Sequence, residues 1–182
     1  MDGLYMMGDQ HAQQTLQWIK SFVIKYNICP FAKREIERNS FVMQVSEAKT
    51  TKEALSFLMD NVKLLDDDDQ IETSFVIFPF FLDDFYDYLD FIDCAEAALF
   101  VGGYEGIYQI ASFHPKYCFA DAEEEDVTNY TNRSPYPMLH LLRESSLDKA
   151  ISYYGDTSVI PENKKKCLIE LGLEEVKNCT KF

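Results

Sequence analysis

Residues 73–78 read TSFVIF, an uninterrupted apolar run closed by Pro79. The run is too short for an ordinary helix and shows no polar alternation, so it predicts a central strand covered on both faces. Such a strand folds only if helices lie above and below it.

The flanking sequence supplies them. Residues 9–27 carry Leu16, Ile19, Phe22, Val23 and Tyr26 on one helical stripe, with Gln14, Gln17, Lys20 and Lys25 outside it. Cys29-Pro30 ends that helix, because a proline lacks the amide and restricts the residue before it. Residues 41–46 (FVMQVS) predict a second strand. Thr50 with Glu53 has capping-box spacing for a helix reaching about residue 65. The four aspartates at 66–69 read as a solvated loop. A further helix is expected from about 83 to 100, stopped by Gly102-Gly103, and a third strand over 107–113. Ser134 then reads as an N-cap with Pro135 at the first helical position, opening a helix with Met138, Leu139, Leu142, Leu147 and Ile151 inward. A last helix spans about 161–171 up to Gly172, with a minor strand near 116–120 and a loose tail to Phe182. The order predicts an α/β fold, or α+β: a small three- to four-stranded sheet under about five helices. One domain covers 1–182, with its core at about 9–172 and loose termini.

At 182 residues the chain buries enough surface to fold without a metal or disulfide. Its net charge of −14 argues against a nucleic-acid partner, which lysine and arginine must neutralise, and against anionic membrane surfaces. Five cysteines, an odd number without CxxC spacing, predict reduced thiols and a cytoplasmic location. The start predicts no signal peptide.

Chemistry concentrates between residues 113 and 144. His114 follows a strand directly, where α/β sheets place ligands, and opens a loop of about 20 residues. Arg133 before the expected helix start at Ser134 would make a pocket for a phosphate or carboxylate. His140 and Glu144, four apart on that helix, would share a face near Arg143, with Glu144 orienting the imidazole. Two histidines meeting at one pocket would permit acid–base catalysis. The same pair with Cys29 and Cys118 would suit a metal, and hydrogen-bonded structural histidines fit the pattern as well. Cys29 ends a helix rather than beginning one and reads as a buried structural thiol. No GxGxxG, Walker loop, GxSxG or HExxH motif is present.

The segments NICPFAKR, QIASFHPKYCFA, TNRSPYPMLHLLRE and PENKKKCLIELG resemble those of the domain of unknown function 1415 family over nearly the whole chain. The resemblance implies that Cys29, Tyr117, Asn129, Thr131, Asn132, Arg133, Ser134 and Arg143 belong with His114, His140 and Glu144. The acidic insert at 123–126 and the aspartates between Asp66 and Asp93 depart from the family pattern. Together these readings predict an enzyme, a hydrolase or transferase, acting on a small anionic metabolite. Catalysis would fall to His114, His140 and Glu144, and the other residues would bind the ligand. A metal-binding protein and a non-catalytic adaptor with an acidic face for a basic partner are the alternatives.

Overall fold

The computed structural model of the chain describes residues 9–154 and 160–181. The expected loose N-terminal end at 1–8, and Phe182, lie outside the described residues.

The first helix, α1 (Gln10–Trp18), is capped by the Asp9 carboxylate, which accepts from the His11 and Ala12 amides. It runs without a break into a π-helical turn, Ile19–Ile24. Such turns are rare and recur at functional sites. The chain then turns through Asn27 at positive φ into a short helix, α2 (Ala32–Arg38). That helix was not expected from the sequence. Strand β1 (Phe41–Val45), helix α3 (Thr51–Asp67), strand β2 (Thr73–Ile77), helix α4 (Phe85–Val101) and strand β3 (Tyr108–Phe113) follow. All five lie close to their sequence-based positions. Thr50 caps α3 through its hydroxyl, which accepts from the Glu53 amide at 3.3 Å. Asp66 and Asp67 are not part of a loop: both lie in the last turn of α3, where Asp66 accepts the Tyr104 and Tyr108 hydroxyls.

The expected helix at Ser134 does not form. Residues 138–143 are instead strand β4 (Met138–Arg143), which enters the sheet between β2 and β3. Strand order is β1-β2-β4-β3, with β1 and β2 parallel and β4 antiparallel to both its neighbours. Met138, His140 and Leu142 alternate with Leu139 and Leu141 across the two faces, as a period of two requires. A run buried on both faces looks alike as strand or helix in sequence, and the Ser-Pro start tipped the reading the wrong way. The extra strand is β4, since no strand forms at 116–120.

The chain continues in α5 (Glu144–Tyr154), α6 (Ile160–Leu171) and α7 (Leu173–Cys179). The expected loose tail is therefore a helix up to Cys179, entered through Gly172 at φ 80°. Val176 and Leu168 are fully buried, and each such side chain contributes about 1.5–3 kcal/mol by leaving water.

The result is an α/β domain with one mixed sheet between two helical layers, which supplies the doubly covered strand the sequence demanded. On one face Val42, Val76, Leu139 and Leu141 pack against α3 and α4. On the other, Phe41, Met43, Phe75 and Met138 meet α1, the π turn, α6 and α7.

Candidate functional site

His114 and His140 stand on opposite faces of the sheet, so the expected acid–base pair does not meet. His114 packs against Phe85 and Tyr88 of α4, with ring centroids 5.2 and 4.9 Å away. It is fully buried, and both nitrogens have partners. Nε2 donates to the Leu82 carbonyl at 2.9 Å, and Nδ1 accepts the Lys116 amide at 3.0 Å. Leu82 lies in the left-handed region at φ 68°, a conformation that costs a bulky residue about 1–3 kcal/mol. The imidazole holds that strained carbonyl in place. Burial keeps its pKa below the ordinary range.

The loop from 115 to 137 is held by the same side chains that the resemblance had assigned to ligand binding. Asn129, fully buried, accepts from the Phe119 amide and donates to the Glu123 and Glu124 carbonyls. Asn132 donates to the Ser112 carbonyl, and Thr131 to Asn132 Oδ1. Arg133 Nε and Nη2 donate to the Tyr117 and Glu124 carbonyls at 2.9 and 2.7 Å. Tyr117 also packs its ring on Phe85 and Phe119. With no helix at Ser134, that hydroxyl donates to the Tyr136 carbonyl instead of capping. No helix dipole supports an anion there.

Arg133 nevertheless lines a half-open cleft of about 350 Å³ with Ser134, Tyr130, Lys177 and Lys181. Three of its lining residues are cations and none is acidic, in a chain of net charge −14. Sequence reading missed Lys177 and Lys181 because α7 was taken for a loose tail. The Leu173–Val176 spacing was the available signal.

His140 occupies the floor of a second, apolar cavity of about 270 Å³. Its ring stacks on Phe75 at 3.9 Å, and Ala111 flanks it from β3. Cys29, Thr131, Thr73 and Trp18 line the same space, with Glu35, Glu72 and Lys164 also contributing. Cys29, Thr131, His140 and Arg143 thus share one cavity. The Arg143 guanidinium, however, donates to the Ile71, Leu65 and Asp68 carbonyls and the Tyr108 hydroxyl. It clamps β4 to the end of α3. Glu144, the first residue of α5, makes no ion pair or hydrogen bond with His140, since the helix that would have aligned them is a strand.

The His140 tautomer follows from hydrogen-bond accounting. Thr73 Oγ1 is bonded both to the Leu141 carbonyl at 2.6 Å and to His140 Nε2. Its single proton goes to the carbonyl, which can only accept. Nε2 therefore carries the imidazole proton and donates to Thr73. Nδ1 is left as a lone-pair acceptor without a protein partner among the described residues. Burial pushes the His140 pKa down to about 3, so the ring is neutral near pH 7.

Trp18 belongs to both spaces: it lines the cationic cleft and the apolar cavity. It is 2% exposed, and its Nε1 has no hydrogen-bond acceptor among the described residues. Nothing in the sequence singles out this lone tryptophan. Among the described residues no group of three or more His, Cys, Asp or Glu side chains could hold a metal ion. The four-ligand set of Cys29, His114, Cys118 and His140 is not assembled, because the sheet separates its two histidines.

Residues 10–178 match the model of the family described as protein of unknown function (DUF1415). The chain belongs to that family. No curated protein and no solved structure matches it significantly. Within this DUF1415 chain, no helix among the described residues is long and apolar enough to cross a membrane.

Proposed function

We propose that the chain is an enzyme acting on a small metabolite bearing a phosphate or carboxylate, with His140 as its acid–base group. The observation that carries this reading is the neutral imidazole fixed by Thr73 on the floor of an apolar cavity, with no partner for Nδ1 among the described residues. Beside it lies the cationic cleft of Arg133, Lys177 and Lys181. An imidazole of pKa about 3 is a weak base near pH 7. Negative charge on the substrate favours imidazolium and moves the pKa back toward the useful range. In a hydrolase or transferase, Nδ1 then takes the proton of a water or hydroxyl. The resulting oxygen nucleophile attacks phosphorus or a carbonyl carbon, and the leaving oxygen takes the proton back from Nδ1. Thr73 holds Nε2–H throughout. Arg133 and Ser134 bind the anion together with the two lysines, and Cys29 and Thr131 shape the cavity. All five cysteines are free, which supports a reducing, cytoplasmic setting.

A panel of phosphate monoesters and carboxylate esters tests the reading. Turnover that disappears in His140→Asn while the unfolding midpoint is kept supports it. Turnover unchanged in that variant removes His140 from the chemistry.

A second reading, a non-catalytic adaptor, is favoured by one feature of α4. From Leu64 to Pro115 the chain contains no lysine or arginine. Tyr86, Leu89, Phe100 and Val101 are exposed on α4 among its aspartates. A basic amphipathic peptide fits such a face. Binding of a Lys/Leu helical peptide that is lost in Phe100→Glu supports this role, and binding indifferent to that change overturns it.

A further inference from the structure

We infer that the ligand is an amphipathic anion: a compact uncharged body, an aromatic ring or branched chain, joined through oxygen to a single phosphate or directly to a carboxylate. It would span both spaces past Trp18. This rests on the proposed anion site and adds the class of the rest of the molecule.

The two spaces differ in chemistry. The cavity is floored by Phe75, Ala111 and Phe113, and the charges in its lining balance, Glu35 and Glu72 against Arg143 and Lys164. An anionic group finds no net positive charge there, since the Arg143 guanidinium is committed to the Ile71, Leu65 and Asp68 carbonyls, whereas an uncharged ring gains roughly 25 cal/mol per Å² of apolar area removed from water. The cleft has the opposite character, with three cations and no carboxylate. A bare inorganic anion would leave the cavity unused. A purely apolar molecule would bring no charge to Arg133 and Lys181, nor to Lys177, which pairs with Glu125 at 3.7 Å.

Trp18 links the halves. Its indole lines both, and it meets Phe113 edge-on at 5.8 Å. Phe113 in turn lies 6.5 Å from the His140 ring. Among the described residues nothing accepts a hydrogen bond from the indole Nε1–H. A buried donor without a partner costs about 1–3 kcal/mol. A ligand oxygen placed at the junction, such as an ester, ether or carboxylate oxygen, removes that cost when a small ring shift uncovers the donor. Ile19 and Val23 of the π turn line the cavity directly after Trp18. That turn places a π segment at the junction, as functional helices often do.

The lone tryptophan makes the test direct. Intrinsic fluorescence is followed while phenyl phosphate, inorganic phosphate and benzyl alcohol are titrated separately into the full chain. Phenyl phosphate is expected to bind at least tenfold more tightly than inorganic phosphate and to change the Trp18 emission. Arg133→Gln should weaken phenyl phosphate and leave benzyl alcohol unchanged. Ala111→Leu, which fills the cavity from the β3 side, should abolish the advantage of the ring and leave inorganic phosphate binding intact. If phenyl phosphate binds no more tightly than inorganic phosphate, the inference fails while the anion site stands. If neither anion binds, the proposed function fails with it. Should Ala111→Leu lower the unfolding midpoint, calorimetric titration of the wild-type chain with benzoate against formate decides: equal affinities overturn the inference.

Discussion

His114 and His140 sit on neighbouring strands or just beyond them, yet they live in different chemical worlds. On the α4 face, His114 is sealed, with a donor and an acceptor role both taken and a strained Leu82 depending on it. On the α1 face, His140 has one nitrogen fixed by Thr73 and the other uncommitted above a cavity. The lesson is that residue type does not distinguish a brace from a reactive group. The count of unmet hydrogen-bonding positions does.

The sharpest way to break this contrast is to remove the brace. His114→Leu leaves the Leu82 carbonyl and the Lys116 amide without partners and releases the strained turn. A loss of about 3–4 kcal/mol in urea unfolding is expected. A loss below about 1 kcal/mol would deny His114 its structural role.

Protonation comes next in size. His140 has its folded pKa near 3, below the ordinary value of 6.5. Between those values the unfolded chain takes up the proton and the folded chain does not. Stability is therefore complete above about pH 6.5 and falls as pH is lowered toward 3. From about pH 6.5 to 4.5 the His140 share is about 2 kcal/mol. His114, shifted the same way by burial, adds to the loss. In His140→Leu the urea midpoint should vary less steeply with pH, and an unchanged slope would contradict the depressed pKa.

Arg133→Gln gives a smaller effect, about 1 kcal/mol, from two lost bonds to carbonyls at the loop surface. Its loss of anion affinity should exceed its loss of stability. Glu144→Gln is the smallest. Because Glu144 does not touch His140, stability should change by less than about 0.5 kcal/mol. The His140 titration followed by NMR should stay where it is.

Much of the architecture could be read from residues alone. The TSFVIF run became a central strand, the Thr50 cap started α3, and Gly172 ended α6, because each signal is local. The placement of Met138–Arg143 was not local. Its apolar run, with Met138, Leu139 and Leu141 in the core, suits either element, and only pairing with Phe75 and Ala111 made it a strand. That one misreading carried the site expectations with it. The Ser134 helix start, the Glu144–His140 face and the meeting of two histidines all assumed a helix. Cys29, Thr131, His140 and Arg143 still came together, because the resemblance grouped residues without needing their geometry. Trp18, Lys177 and Lys181 escaped notice since nothing about a single tryptophan or a lysine-bearing tail reveals what it faces.

The late position of β4 in the chain has a consequence for biosynthesis. Strand β3 borders only β4, and β2 has just β1 beside it until residue 138 arrives. A nascent chain that has emerged as far as the loop holds two apolar strand edges with nothing between them. Contacts this distant in sequence slow folding, and open edges invite other strands to pair. The acidic stretch between those two strands, free of any lysine or arginine, keeps such incomplete chains mutually repelling during the wait.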